Sequence, residues 1–165
     1  MGSRINHVSV SANDLDASQA FYERLLGARR IPSPDFDVDV RWLALGDTQL
    51  HLFTSDDRGT RGHHFGVEVD LDVLVSAYRA AAEEGVLEQD VFNGALIGLP
   101  GDVVQLYLRD PRGNLIELDA AGASDLPDDL RAELRVLDER RPQRGEHADA
   151  RLFIAGDRPV AQVEI

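Results

Sequence analysis

Ile5-Asn6-His7-Val8-Ser9-Val10 is a short phrase that returns in altered form as His63-His64-Phe65-Gly66-Val67-Glu68-Val69. Each copy contains a histidine followed by apolar residues at alternate positions, which is the pattern of a half-buried β-strand. Acidic residues come next, and then apolar residues at helical spacing that end at Gly27 and at Gly85. A repeat of this length indicates one folding unit used twice.

Further strands follow the predicted helix in each unit. In the first unit they cover residues 38–45 and 48–53, with 29–31 as a candidate further strand. In the second unit they cover residues 103–108 and 114–118, joined by a turn. The glycine-rich stretch 93–101 fits either a strand with a mobile loop over a pocket or a long turn.

The repeat ends near residue 119, and a different pattern follows. Residues 123–165 contain a short helix with Leu130, Leu134 and Leu137, then a charged linker at 140–149 with His147, which we expect to be solvated. Residues 151–165 resemble a terminal hairpin. Because isolated hairpins are marginally stable in water, we expect this one to dock on the sheet or on a partner subunit.

The charge and composition exclude several classes of function. The formal net charge is −13 over 165 residues, and an acidic surface disfavours binding to nucleic acids and to anionic membranes. All 17 basic residues are arginine, so no lysine is present to form a Schiff base. No apolar run approaches the roughly 20 residues that span a bilayer, and the first strand leaves no room for a signal peptide. We therefore expect a cytoplasmic protein.

The lack of cysteine restricts the chemistry of any metal site. Without cysteine the chain has no disulfide, no thiolate nucleophile and no thiolate metal ligand. A metal must then be held by nitrogen and oxygen atoms, which leaves histidine, aspartate, glutamate and neutral oxygen groups.

Strand alternation predicts which side chains share a face. Residues two apart point to the same side of a strand, and the apolar side must pack against the helices. The residues predicted on the other, open face are the polar residues His7, Ser9, Gln49, His51, His64, Gln105, Tyr107 and Glu117, together with Phe53, Gly66 and Leu115. His63 has the opposite parity, so we expect a structural role for it. Two imidazoles and a carboxylate on one face are typical of an open site for a divalent metal.

Four motifs resemble the vicinal-oxygen-chelate superfamily, which includes glyoxalase I, extradiol dioxygenases, methylmalonyl-CoA epimerase, fosfomycin-resistance thiol transferases and bleomycin-binding proteins. They are Asn6-His7-Val8-Ser9-Val10, Ala20-Phe21-Tyr22-Glu23-Arg24-Leu25-Leu26-Gly27, His64-Phe65-Gly66-Val67-Glu68-Val69-Asp70 and Leu106-Tyr107-Leu108-Arg109-Asp110-Pro111-Arg112-Gly113-Asn114-Leu115-Ile116-Glu117-Leu118. The resemblance covers most of residues 4–119 and implies an α+β fold. Its two tandem βαβββ modules, about 4–54 and 62–119, would form an incomplete barrel around a metal, with 123–165 as a C-terminal extension.

The resemblance also implies the residues of a site. It places metal ligands at His7, His64 and Glu117, with Gln49 or His51 as alternatives for a fourth ligand, around Fe, Mn, Ni, Co or Zn. Tyr107 would donate a hydrogen bond to charge that develops on the substrate, and Ser9 would orient the substrate. His51, where it is not a ligand, would move a proton, and Glu117 is an alternative base.

The function that the resemblance favours is a glyoxalase-like isomerase or lyase, a homodimer acting on a small oxygenated substrate. The chain departs from glyoxalase I, because Thr48-Gln49-Leu50-His51-Leu52 offers no glutamate, and Gln49 is closer to what the epimerase carries. An extradiol ring-cleaving dioxygenase is one alternative, although residues 98–102 lack the histidine of that signature. The other is a non-catalytic binding protein of the bleomycin-resistance type, which usually lacks the metal-binding trio.

Overall fold

The structure is a computed structural model that describes residues 3–54, 62–109 and 113–154. The elements in these ranges are β1 Arg4–Ala12, α1 Leu15–Leu26, β2 Arg29–Ile31, β3 Val40–Leu45, β4 Thr48–Thr54, β5 His64–Glu68, α2 Leu71–Glu84, β6 Leu96–Leu99, β7 Val103–Arg109, β8 Leu115–Ala121, α3 Asp128–Glu133, β9 Arg135–Val136 and α4 Leu137–Arg140. Two short 3₁₀ helices lie at Ala123–Asp125 and Gly145–His147. None of the helices in the described ranges is long and apolar enough to cross a membrane.

Capping residues set the ends of the two long helices. The side chain of Asp14 accepts a hydrogen bond from the backbone N–H of Ala17 at 2.9 Å at the start of α1, which satisfies a donor that the helix itself leaves unpaired. Helix α1 ends at Gly27 with φ 66°, and α2 ends at Gly85 with φ 68°. Glycine adopts this left-handed conformation without steric cost, so the predicted helix ends are confirmed.

The strands form one open mixed sheet in the order β2-β3-β4-β1-β5-β8-β7-β6-β9. Strand β1 pairs in parallel with β4, and β5 pairs in parallel with β8. Strands β1 and β5 pair antiparallel in the middle of the sheet, and we call this pair the central seam. The predicted α+β class is confirmed, and the sheet is open, as expected for an incomplete barrel. The division into two modules with the stated bounds stays a prediction.

A β-bulge in β1 interrupts the simple alternation of its side chains. The register between β1 and β5 shifts between Ile5 and His7, and Asn6 and His7 are both fully buried. A bulge sets two residues of one strand against one residue of its partner. Two consecutive polar side chains of β1 therefore enter the interior, where alternation alone places only His7.

The C-terminal extension packs on the sheet of its own chain. Strand β9 pairs in parallel with β6, and the buried side chains of Leu137, Leu152 and Ile154 join a core cluster with Trp42. The predicted single helix through Leu137 is wrong, because the pairing of Arg135 and Val136 with β6 holds them extended. Residues 151–154 form no strand, and residues 155–165 of the predicted hairpin lie outside the described residues. The stretch 93–101 contains β6 and is not simply a long turn.

Candidate metal centre

Three neighbouring strands bring His7, His64 and Glu117 together on the open face of the sheet. The Nε2 atoms of the two histidines are 3.2 Å apart. Glu117 Oε1 lies 3.4 Å from Nε2 of His7, and Glu117 Oε2 lies 3.0 Å from Nε2 of His64. These residues form a group whose potential ligand atoms all lie within 4.8 Å of one another. The predicted trio is thus assembled from β1, β5 and β8 at the central seam.

Hydrogen bonds on the far side of each ring decide which nitrogen faces the cluster. His64 Nδ1 lies 2.7 Å from the carbonyl oxygen of Gly62, which can only accept, so Nδ1 carries the proton. His7 Nδ1 donates to Asn6 Oδ1 at 2.9 Å, and the Nδ2 of Asn6 donates to Asp119 at 2.8 Å. Both Nε2 atoms therefore present lone pairs to Glu117, which is the tautomer that binds metals.

This set of atoms fits a divalent cation. Two nitrogen lone pairs and a carboxylate approach one another closely in a buried site, where mutual repulsion is weakly screened. The hydroxyl of Ser9, which lies 2.9 Å from Nε2 of His64, and the amide of Gln105, which donates to Glu117, are hydrogen-bond donors to these atoms. Burial lowers the pKa of His7, although Glu117 opposes that effect. A cation bound by both imidazoles and the carboxylate would satisfy all three groups.

A second carboxyl group and an amide hold Glu117 in place. The Nε2 of Gln105 donates to Glu117 and, at 3.2 Å, to Asp119 Oδ1. Burial raises the pKa of Asp119 well above its usual range, and the nearby charge of Glu117 adds to the effect. Burial works against ionisation of Glu117 as well, but its pKa is well below its usual range because positive charge on His7 and His64 and their hydrogen bonds to it, present when the rings are protonated, outweigh that penalty. Glu117 is therefore the ionised member of this pair.

Tyr107 lies beside Glu117, its partner in the pairing of β7 with β8. Its hydroxyl donates to Gln105 Oε1 at 3.1 Å. Burial, followed by the charge of Glu117, raises the pKa of Tyr107 well above 10.0. The phenol therefore keeps its proton near neutral pH and can act as a hydrogen-bond donor.

His51 belongs to a stack of rings next to the cluster and is not among the three clustered ligands. Its ring lies 4.1 Å from that of His7 and 4.2 Å from that of Trp42, centroid to centroid. Its Nε2 lies 3.0 Å from Gln49 Oε1, and Gln49 Nε2 donates to the carbonyl of Arg151 at 2.9 Å. The amide oxygen of Gln49 faces His51 and can only accept a hydrogen bond, so Nε2 of His51 carries the proton. A fourth ligand from Gln49 or His51 stays a prediction.

The other two histidines lie away from the cluster. His63 Nε2 lies 2.8 Å from the hydroxyl of Ser11 and accepts the backbone N–H of Ser11 at 3.0 Å, in keeping with the structural role predicted for it. His147 was predicted to be solvated, and this is wrong. It is half-buried, and its Nδ1 lies 2.8 Å from the carbonyl of Ser33, because the extension folds back over the segment before β3.

A cavity of about 310 Å³ adjoins the cluster. Ser9, His51, His64, Tyr107 and Glu117 contribute polar groups to its lining. Much of the remaining wall is apolar, and the rings of Phe92 and Tyr107 stack in it with their centroids 4.2 Å apart. A mostly apolar cavity of this size with a few convergent polar groups is typical of a small-molecule site.

The model of the Glyoxalase/Bleomycin resistance protein/Dioxygenase superfamily matches residues 4–118. The chain belongs to this superfamily. Mitochondrial methylmalonyl-CoA epimerase from Bos taurus is 31% identical over an alignment of 140 residues, and the match covers 72% of this chain and 74% of the epimerase. The Homo sapiens enzyme is 29% identical with the same two coverages.

Solved structures of the superfamily have a similar fold. Methylmalonyl-CoA epimerase from Mycobacterium tuberculosis matches with a TM-score of 0.52 and 21% identity, over 78% of this chain and 91% of that one. BphC, a halotolerant catechol dioxygenase, matches with a TM-score of 0.56 and 20% identity, over 80% of this chain but 44% of that one. These likenesses establish the fold of the superfamily domain.

Several residues around the cluster of His7, His64 and Glu117 were not predicted from the sequence. Asn6 orients His7, yet strand alternation assigns it to the helix side, and only the bulge turns it inward. Asp119 follows Glu117 at an alternate position of the same strand, and this spacing was a usable signal. Trp42 stacks on His51 through the pairing of β3 with β4, a contact that no local pattern reveals.

Proposed function

We propose that this protein is a divalent-metal-dependent isomerase or lyase, which acts on a small substrate with two neighbouring oxygen atoms. The observation that supports it most strongly is the convergence of the two Nε2 lone pairs on Glu117 beside a cavity. His7, His64 and Glu117 would hold the metal. When bound, the metal would supply Lewis-acid stabilisation of negative charge on the substrate.

Tyr107 and Ser9 would position the substrate in the cavity. Tyr107 keeps its proton because its pKa is raised, so its hydroxyl can donate to a substrate oxygen on which negative charge develops. Ser9 lines the same cavity and already donates towards His64. The two hydroxyl groups, on β7 and β1, would therefore orient the substrate from two sides.

His51 is the proposed general base. Its proton lies on Nε2 and is held by Gln49, so Nδ1 has a lone pair, and none of the hydrogen bonds among the described residues uses it. Burial, together with the neighbouring His7, lowers its pKa well below 6.5, so the ring is neutral near pH 7. A neutral imidazole in the lining of the cavity can accept a proton from a carbon next to a carbonyl group.

The named activity of the relatives supports an isomerase over a dioxygenase. Those relatives are methylmalonyl-CoA epimerases, and an epimerase removes and returns a proton at one carbon. The chain also lacks the histidine that an extradiol signature has before Leu106. The buried trio, held in place by hydrogen bonds from neighbouring groups, also favours an enzyme over a non-catalytic binding protein.

Metal analysis of protein purified without chelators tests the metal centre. We expect about one divalent ion per chain in the wild type and in His63→Ala, but little in His7→Ala. The reason is that His7 belongs to the trio and His63 does not. His63→Ala is the matched control, since it also removes a histidine, the one directly before His64. A metal-free wild type would favour the binding protein, and stoichiometric redox-active iron would favour the dioxygenase.

Deuterium exchange tests the proposed reaction. Methylmalonyl-CoA in D₂O is the first probe, because the relatives act on it, and incorporation next to the thioester can be followed by mass spectrometry. We expect exchange with the metal-loaded wild type, and a rate about 10²–10⁴-fold lower in His51→Gln with unchanged metal content. Full exchange in that variant would remove His51 from the mechanism, and no exchange in the wild type would exclude this substrate.

A further inference from the structure

The C-terminal extension contributes a charged side chain to the cavity. In the pairing of β9 with β6, Arg135 stands opposite Ile97, and both residues line the cavity together with Leu137. The intervening Val136 stands opposite Gly98 and lies on the other side of the sheet. Strand alternation therefore directs Arg135 towards the cavity. This strand lies beyond residue 118, where the match to the superfamily model ends.

Gly94 provides the room in which the side chain of Arg135 lies. A Cβ atom built at Gly94 would be 2.6 Å from Cδ and 2.7 Å from Nε of Arg135. These contacts are too close, so any larger residue at position 94 would displace the arginine side chain. The neighbouring Asn93 also lines the cavity. Arg135 is exposed at the rim, and the stem of its side chain lies against the backbone of Gly94.

Charge at the rim is only partly neutralised. Arg140 also lines the cavity, and it has a partner, because its Nη2 lies 3.4 Å from Asp37 Oδ2. Arg135 has no carboxylate within salt-bridge distance among residues 3–54, 62–109 and 113–154. Seven other arginines of the described residues lie within salt-bridge distance of a carboxylate. An arginine at a cavity without one is suited to an anion from outside.

The wall of the same cavity is largely apolar and aromatic. Phe36, Trp42, Phe53 and Phe92 contribute to it, with Val91 beside them. Such a wall binds a hydrocarbon or aromatic body through burial of apolar surface. The lining of the cavity thus combines three kinds of group: the clustered lone pairs, apolar and aromatic side chains, and the arginine side chains.

We propose that Arg135 of the extension recognises an anionic group of the substrate, so that the substrate is a small amphipathic anion. It has two neighbouring oxygens at one end, an apolar body and a carboxylate or similar group at the other end. This inference rests on the proposed function for the oxygen-binding end, whereas the anion-binding end rests on Arg135 alone.

A pair of probes that differ only in charge tests the inference. The probes are 3,4-dihydroxyphenylacetate and its neutral amide, titrated by calorimetry into full-length protein loaded with Zn(II). We expect the wild type to bind the acid about fivefold more tightly than the amide, the strength of a partly exposed ion pair. Arg135→Gln should bind both equally, with its affinity for the amide unchanged. Arg135→Lys should keep most of the preference, which should weaken at high salt.

Arg144→Gln is the matched control, because Arg144 belongs to the same extension, is exposed and does not line the cavity. We expect it to keep the preference of the wild type. Equal binding of acid and amide by the wild type, or a preference that survives in Arg135→Gln, would overturn the inference. Binding of the acid through Arg135 without any binding of the amide would support the role of Arg135 and contradict the proposed binding of the two neighbouring oxygens. Binding of neither probe would overturn both.

Discussion

Gly66 leaves the space that the ring of His7, its partner across the central seam, occupies. A Cβ atom at this position would overlap the ring of His7 and lie 2.6 Å from Asn6 Oδ1. Both of these side chains are fully buried, so neither can move away without disturbing the candidate metal centre. The glycine is therefore required by space rather than by its backbone conformation.

Gly66→Ala should lower the free energy of unfolding by about 1–3 kcal/mol, the usual cost of overpacking, and should lower the metal content. Urea denaturation and metal analysis measure the two effects. Gly98→Ala is the matched control, since Gly98 is also a buried strand glycine but its Cβ would meet its nearest neighbour at 3.5 Å, an ordinary contact. Equal stability of the two variants would contradict the packing argument.

His51 should make the stability of the metal-free protein depend on pH. Burial lowers its pKa in the folded protein well below 6.5, so the unfolded chain takes up a proton first as the pH falls. Stability from this group is present above about pH 6.5 and is lost below it, by at most about 1.4 kcal/mol per pH unit.

His51→Gln cannot take up this proton, so its stability should fall less steeply than that of the wild type between about pH 6.5 and pH 5. Urea denaturation at several pH values, with chelator present, measures the slopes. The remaining slope in the variant includes His7, whose pKa is also lowered. Parallel pH profiles of the two proteins would show that His51 is protonated equally in both states.

At the scale of elements, the extension is part of the core and not an appendage. Leu152 is 1% exposed and belongs to the same cluster as Trp42 and Tyr107. The carbonyl of Arg151, its neighbour, accepts a hydrogen bond from Gln49, which in turn holds His51. Packing of this segment and orientation of the proposed base are therefore linked.

Leu152→Ala should lower the free energy of unfolding by about 2–5 kcal/mol, the cost of a large cavity in a core. Val73→Ala is the control, because Val73 is 45% exposed on α2, and its loss should change the stability by about 0.5 kcal/mol or less. Urea denaturation measures both. A small effect in Leu152→Ala would mean that the segment after residue 150 does not contribute to the core.

At the scale of the whole molecule, the residues of the candidate metal centre come from both halves of the sheet. His7 belongs to the first half and His64 and Glu117 to the second, so an ion bound to all three would bridge the central seam. An ion that binds only the folded protein stabilises the folded state by mass action. The homodimer and the cytoplasmic location stay predictions, and light scattering would test the first against a chain mass of 18.2 kDa.

Removal of the metal should therefore lower the melting temperature of the entire protein. At a metal concentration 100 times the dissociation constant the stabilisation is about 2.7 kcal/mol, which corresponds to roughly 5–10 °C for a chain of this size. Calorimetry with and without chelator measures the shift. His64→Ala should show almost no shift, and a full shift in that variant would place the metal elsewhere.

The sequence by itself determined the superfamily, the α+β class and the convergence of His7, His64 and Glu117. These follow from motifs and from the period of two residues along a strand, which are local properties of the chain. Alternation also separated His64 from its neighbour His63, and the structure agrees.

Only the tertiary structure decided how that trio is supported and what else reaches the cavity. The bulge that turns Asn6 inward depends on the register between β1 and β5, and the seat of His51 depends on Arg151, far along the chain. Arg135 reaches the cavity because β9 pairs with β6. These are contacts between distant residues, and strand pairing fixes them through hydrogen bonds that leave no periodic trace in the sequence.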